Sequence, residues 1–161
     1  MPVLQLELPD LSATQKFGAL LADGLTAGDI ISLSGPLGAG KSALARSIII
    51  SANPNETDVP SPTFSLVQTY ELADGTPLWH LDLYRIETPE GAMQLGLDDA
   101  FVDAVCLIEW PDRLKNFLPE STLSIHLYPA CDDEVDGVRF ADITAPLNWS
   151  KRMQAIFAKS A

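Results

Sequence analysis

The sequence predicts an α/β fold, a mixed sheet with flanking helices forming a single three-layer domain over residues 1–161. Three observations predict it. Short apolar runs bounded by turn residues alternate with segments of helical periodicity, the pattern of strands joined by crossover helices. Residues 104–108 ("AVCLI") are apolar without alternation, as expected of a parallel strand covered on both faces. Two pairs of strand-like segments around polar turns add antiparallel pairing. An apolar fraction of 47% and a charged fraction of 20% are those of an ordered globular chain, and 161 residues suffice for a sizeable core.

Residues 3–8 alternate as V-L-Q-L-E-L, a first strand ended by Pro9-Asp10. Residues 11–25 carry Phe17, Leu20, Leu21 and Leu25 at helical spacing, and a turn at 26–29 follows. Residues 30–34 read as a short apolar strand. Residues 41–52 read as a helix with Leu44, Ala45, Ile48 and Ile49 on its buried stripe, stopped by Asn53-Pro54. The stretch 53–62 ("NPNETDVPSP") holds three prolines and no periodicity, so it is a loop. Strands over 63–72 and 77–84 are joined around Asp74-Gly75, a hairpin signal. Residues 89–101 look helical but are interrupted by Gly91 and Gly96, and 111–117 form a short helical connection. Strands over 122–128 and 138–143 flank the turn "ACDDEVDG", and 148–159 form an amphipathic last helix. No internal repeat or domain linker interrupts this order.

Charge limits the partners. The formal net charge is −12, from 10 basic against 22 acidic residues, with no basic cluster. Polyanions are held mainly by Lys and Arg on phosphates, so direct tight binding of DNA or RNA is not expected. No apolar run approaches the roughly 18 residues of a membrane span, and "MPVLQLELPD" lacks the features of a secretory leader, so a cytoplasmic protein with no membrane partner is expected. Cys106 and Cys131 lie outside any metal-ligand spacing and are expected to be reduced, packed residues.

Residues 35–42 read "GPLGAGKS", meeting the pattern G-x-x-x-x-G-K-[ST] between a strand and a helix. Glycines let backbone N–H groups turn onto phosphates, and the following helix adds its dipole. Lys41 supplies a point charge for the outer phosphates, and the Ser42 hydroxyl is a ligand for Mg²⁺. A strand–loop–helix unit of this kind makes the sheet one of the P-loop NTPase type. Such a site needs a second acid at a strand end, and two are offered: Asp82 after "PLWHL" and Glu109 after "AVCLI". The unbroken apolar run favours Glu109 on the metal side, leaving Asp82 to orient or activate water. The alternative is that either is a solvated strand-end acid. His80 and His126, each inside a strand and without a partner at ligand spacing, are expected to be packed or surface residues. Trp79 and Trp149 are core or rim aromatics, and Trp110 either walls the site or packs.

With "GPLGAGKS", "SPTFSLVQTY", "HLDLYR" and "LIEWP" in this order, the chain resembles the TsaE family (also called YjeE) along nearly its whole length. These are bacterial ATPases needed for threonylcarbamoyladenosine synthesis on tRNA. The resemblance implies ATP and Mg²⁺ as cofactors, with Gly35, Gly38, Ala39, Gly40, Lys41 and Ser42 around the triphosphate. It implies Ser42 and Glu109 on the metal, and Lys41, Asp82 and Thr63 as catalytic residues, Thr63 lying in a switch-like segment at 61–67. Leu11, Thr14 and Gly137 would contact the adenine end. TsaB and TsaD are implied as partners, with tRNA reached only through them. Serine at Ser42 replaces the usual threonine, and Phe64 stands where tyrosine is frequent; neither change removes a hydroxyl the metal needs. The rival readings are a small-molecule P-loop kinase and a nucleotide-dependent adaptor that does not hydrolyse.

Overall fold

A computed structural model describes residues 3–56, 58–130 and 137–160. In chain order it contains β1 (Val3–Leu8), α1 (Leu11–Ala22), β2 (Ile30–Ser34), α2 (Lys41–Ala52), β3 (Val67–Glu71) and β4 (Pro77–Asp82). Then come α3 (Pro89–Met93), α4 (Leu97–Asp103), β5 (Val105–Glu109), a 3₁₀ segment (Pro111–Phe117), β6 (Leu123–Pro129), β7 (Arg139–Thr144) and α5 (Leu147–Ser160). The strands form one mixed sheet in the order β1-β7-β6-β2-β5-β4-β3. The central pairs β6–β2, β2–β5 and β5–β4 are parallel. The outer pairs β1–β7, β7–β6 and β4–β3 are antiparallel, as short connections and hairpins require.

Each face of the sheet carries its own core. On one face α1, α2 and α5 pack through Phe17, Leu21, Leu44, Ile48, Trp149 and Met153 onto Ile31, Leu33, Leu107, Ile125 and Ile143. On the other, α3, α4 and the 3₁₀ segment set Ala92, Leu97, Ala100 and Leu114 on Ile30, Leu81, Cys106 and Ile108. All five residues of β5 are buried, which explains its unbroken apolar run. Helix α1 starts where the Asp10 side chain accepts from the Ala13 N–H at 2.8 Å. It crosses α2 closely: a Cβ on Gly18 would stand 2.5 Å from the Ser47 Cβ, so only glycine permits this approach.

The strand expected over 77–84 ends at Asp82, and three larger differences from the sequence reading stand out. Helix α1 ends at Ala22, three residues early, before Asp23-Gly24 turns the chain. The strand expected from 63 begins only at Val67, because residues 63–65 form a turn closed by Leu66 N–H on the Pro62 carbonyl at 2.7 Å, with Leu66 at φ +68. The segment 89–101 is two helices, broken where Gly96 takes φ +95. Cys106 is buried and unpaired, and Cys131 lies outside the described residues. Among the described residues no helix is long and apolar enough to cross a membrane.

Candidate functional site

Parallel strands bring their C-terminal ends to one edge of the sheet, where open α/β sheets place ligands. At that edge β2 runs into the glycine loop, and β5 and β4 end in register on Glu109 and Asp82. Gly35 leaves β2 at φ +137, and a Cβ there would stand 2.0 Å from the Leu127 carbonyl oxygen. Gly38 and Gly40 take φ +80 and +103 with open space where a Cβ would point, a backbone cradle that side chains would strain and fill. Gly40 precedes α2 with no side-chain cap, so the first N–H groups of that helix have no side-chain acceptor there.

The cleft has a volume of about 300 Å³ and is lined by Gly38, Gly40, Lys41, Ser42, Thr63, Asp82, Glu109 and Trp110, with Leu37 and Ala43. Ser42 Oγ donates to Glu109, 3.1 Å from Oε1 and 3.3 Å from Oε2. Thr63 Oγ1 donates to Asp82 Oδ2 at 3.1 Å, and Asp82 Oδ1 accepts the Tyr84 N–H at 3.0 Å. Both acids are buried, so neither is a solvated strand end. Lys41 Nζ donates to the carbonyls of Gly35 at 2.7 Å and Pro36 at 2.9 Å, and stands 4.5 Å from the Trp110 ring centroid. Burial holds its pKa below the ordinary lysine value, with the charges of Glu109 and Asp82 working against that shift. Trp110 therefore walls the site. It takes a left-handed backbone, φ +60, directly after Glu109, and its ring packs 4.9 Å from that of Tyr84.

These are hard oxygen donors beside an uncapped helix start and a single ammonium, the set that suits Mg²⁺ with a polyphosphate. The expected adenine-end residues lie apart from the lining. Leu11 is exposed at the start of α1, and Thr14 is buried with its hydroxyl toward the Asp10 carbonyl at 3.5 Å. Leu8 pairs with Arg139, so Asp10–Leu11 and Gly137 flank one strand end. Ala39 is buried beneath the loop. A larger open groove of about 850 Å³, between β1 and helices α1 and α2, contains none of the acids, hydroxyls or glycines of the cleft.

A family model described as threonylcarbamoyl adenosine biosynthesis protein TsaE matches residues 8–135. The chain belongs to the TsaE family. It is 32% identical over 157 residues to the tRNA threonylcarbamoyladenosine biosynthesis protein TsaE of Haemophilus influenzae, covering 94% of this chain and 95% of that protein. It is 40% identical over 114 residues to the Rickettsia felis protein of the same name, the match spanning 71% of this chain and 66%, just under two thirds, of its relative. The crystal structure of Bacillus subtilis YdiB superposes with a TM-score of 0.79 at 26% identity, covering 99% and 97% of the two chains.

Within this TsaE chain two residues at the site escaped the sequence reading. His80 is no bystander: its Nε2 lies 2.6 Å from Glu109 Oε2, both side chains buried. Arg139, on β7, grips the glycine loop from outside, Nε to the Ala39 carbonyl at 3.2 Å and Nη2 to that of Gly38 at 3.1 Å. The period of two from Asp82 to His80 was the available signal for the first. Nothing local signals the second. His126, by contrast, is an exposed sheet residue bonded to Ser34 Oγ at 2.9 Å.

Proposed function

We propose that the chain binds Mg·ATP in the Gly35–Ser42 cleft and hydrolyses it slowly, as the ATPase of the machinery that makes threonylcarbamoyladenosine on tRNA. What carries the reading is one juxtaposition: the Ser42 hydroxyl against Glu109, with Lys41 above and Thr63–Asp82 opposite, in one cleft. Glycine-loop N–H groups and Lys41 bind the triphosphate, Lys41 exchanging its carbonyl partners for phosphate oxygens. Ser42 and Glu109 would hold Mg²⁺, which when bound would draw negative charge from the outer phosphates. Asp82, fixed by Thr63 and the Tyr84 N–H, orients the attacking water and accepts its proton. TsaB and TsaD are the proposed partners, and tRNA is reached only through them, in keeping with a net charge of −12. The protein works in the cytoplasm.

The test is titration calorimetry with ATP in Mg²⁺ and in EDTA, followed by phosphate release under the same conditions. Binding equally tight with Mg²⁺ and in EDTA, or phosphate passed to a small acceptor instead of water, would overturn this function.

A further inference from the structure

We propose that His80 is a positioning residue for Glu109: its buried Nε2–H fixes the carboxylate that, with Ser42, would hold Mg²⁺. The inference rests on the Mg·ATP reading and extends it to a residue of the "HLDLYR" stretch to which that reading gives no role. Period-two alternation puts His80 and Asp82 on one face of β4, and the register sets Asp82 opposite Glu109. His80 is thus Glu109's diagonal neighbour, one step below the cleft floor, on the face shared with Leu78 and Leu107.

A carboxylate only accepts, so the 2.6 Å contact is a donation from Nε2 to Oε2. Glu109 Oε2 is then held from below by His80, while Oε1 is the oxygen closer to the Ser42 hydroxyl at 3.1 Å. The other ring nitrogen, Nδ1, is buried with no hydrogen-bond partner among the described residues. A histidine kept only for packing would leave this apolar face better filled by leucine, as at Leu78, because a buried polar atom without a partner costs stability. The polar ring is used at one end only, and that end is the carboxylate of the cleft. Hydrogen bonds behind a ligating group set its orientation and typically change metal affinity tenfold to a hundredfold when removed.

Two variants of similar size separate orientation from packing. His80→Gln carries an amide N–H to about the position of Nε2; His80→Met fills the space without a donor. Affinity for a fluorescent ATP analogue is measured across a Mg²⁺ titration and in EDTA, with thermal unfolding as the fold control. The expected result is a Mg²⁺ midpoint raised roughly tenfold or more in His80→Met, restored to within about threefold in His80→Gln, with EDTA affinity unchanged in both. An unchanged midpoint in His80→Met, an equal loss in both variants, or a parallel fall of the EDTA affinity would overturn the proposal. If His80→Met does not fold, His80→Asn replaces it, and a midpoint shift beyond threefold in His80→Gln alone is also disproof. Wild-type binding indifferent to Mg²⁺ would overturn the metal reading itself, a result distinguishable from failure of the variants.

Discussion

Lys41 combines two opposed requirements. Its ammonium must be charged to meet phosphates, yet burial lowers its pKa despite Glu109 and Asp82 nearby. A base whose folded pKa lies below its unfolded value costs stability while it carries its proton, and the cost fades as pH rises toward the ordinary lysine value. Lys41→Met should therefore melt no lower than wild type at pH 7 while binding ATP roughly tenfold to a hundredfold more weakly, the worth of a charged hydrogen-bond donor. Paired melting and calorimetry check this; a destabilised variant with wild-type affinity would contradict it. The two acids should separate. Glu109→Ala is expected to remove the Mg²⁺ dependence of ATP binding, since it removes the carboxylate beside Ser42. Asp82→Ala should keep Mg·ATP affinity and lose about 10²–10⁴-fold in kcat, as expected of a group acting on the water. If Asp82→Ala alone abolished the Mg²⁺ dependence, the two roles would be exchanged.

The hairpin of β6 and β7 reaches the glycine loop through the Arg139 side chain. Arg139 holds the Ala39 carbonyl, and this fixes the peptide plane whose opposite side carries the Gly40 N–H, on a residue that lines the cleft. Arg139→Ala should weaken ATP binding about fivefold with kcat little changed, from the loss of about 1 kcal/mol of loop ordering. Stopped-flow or equilibrium binding beside steady-state turnover tests it, and an affinity equal to wild type would refute the clamp. This element also marks how far the sequence could be read. The glycine loop was legible because its chemistry is contiguous: cradle, charge and metal hydroxyl fall within residues 35–42. Glu109 was legible because burial on both faces writes an unbroken apolar run before it. His80 and Arg139 were not, because their partners are 29 and 100 residues away and only sheet register joins them. The start of β3 was misread because "TFSL" has strand composition, while Leu66 adopts a left-handed backbone that closes a turn and brings Thr63 to Asp82.

Across the whole molecule, the cleft holds many acceptors and a single cation. Among the described residues lining it, only Lys41 is basic. The three arginines nearest in sequence lie outside that lining: Arg46 Nε on the Val59 carbonyl at 3.1 Å, Arg85 over the exposed Phe64 ring at 4.5 Å, and Arg113 over Tyr84 at 5.9 Å with its Nε buried and unpartnered among the described residues. Phosphoryl transfer without a transition-state cation is slow until one is supplied or ordered. The isolated chain should therefore bind ATP and turn it over slowly, and TsaB–TsaD should accelerate it tenfold or more. The structure narrows how. In the proline-rich loop before Thr63, Val59 is buried in the core and its carbonyl is held by Arg46. The part free to transmit a partner's contact is the stretch after that pin, where Ser61 and Thr63 hydroxyls meet at 2.7 Å and Thr63 bonds Asp82. Thr63→Val should then keep Mg·ATP affinity near wild type and lose most of the partner-induced acceleration, whereas a change at Arg46 should alter stability first. The measurement is steady-state phosphate release at fixed Mg·ATP, for wild type and Thr63→Val, each alone and titrated with the partner pair. A fast basal rate that the partners leave unchanged would sink partner gating. Full acceleration of Thr63→Val would instead leave gating intact and remove this segment from it.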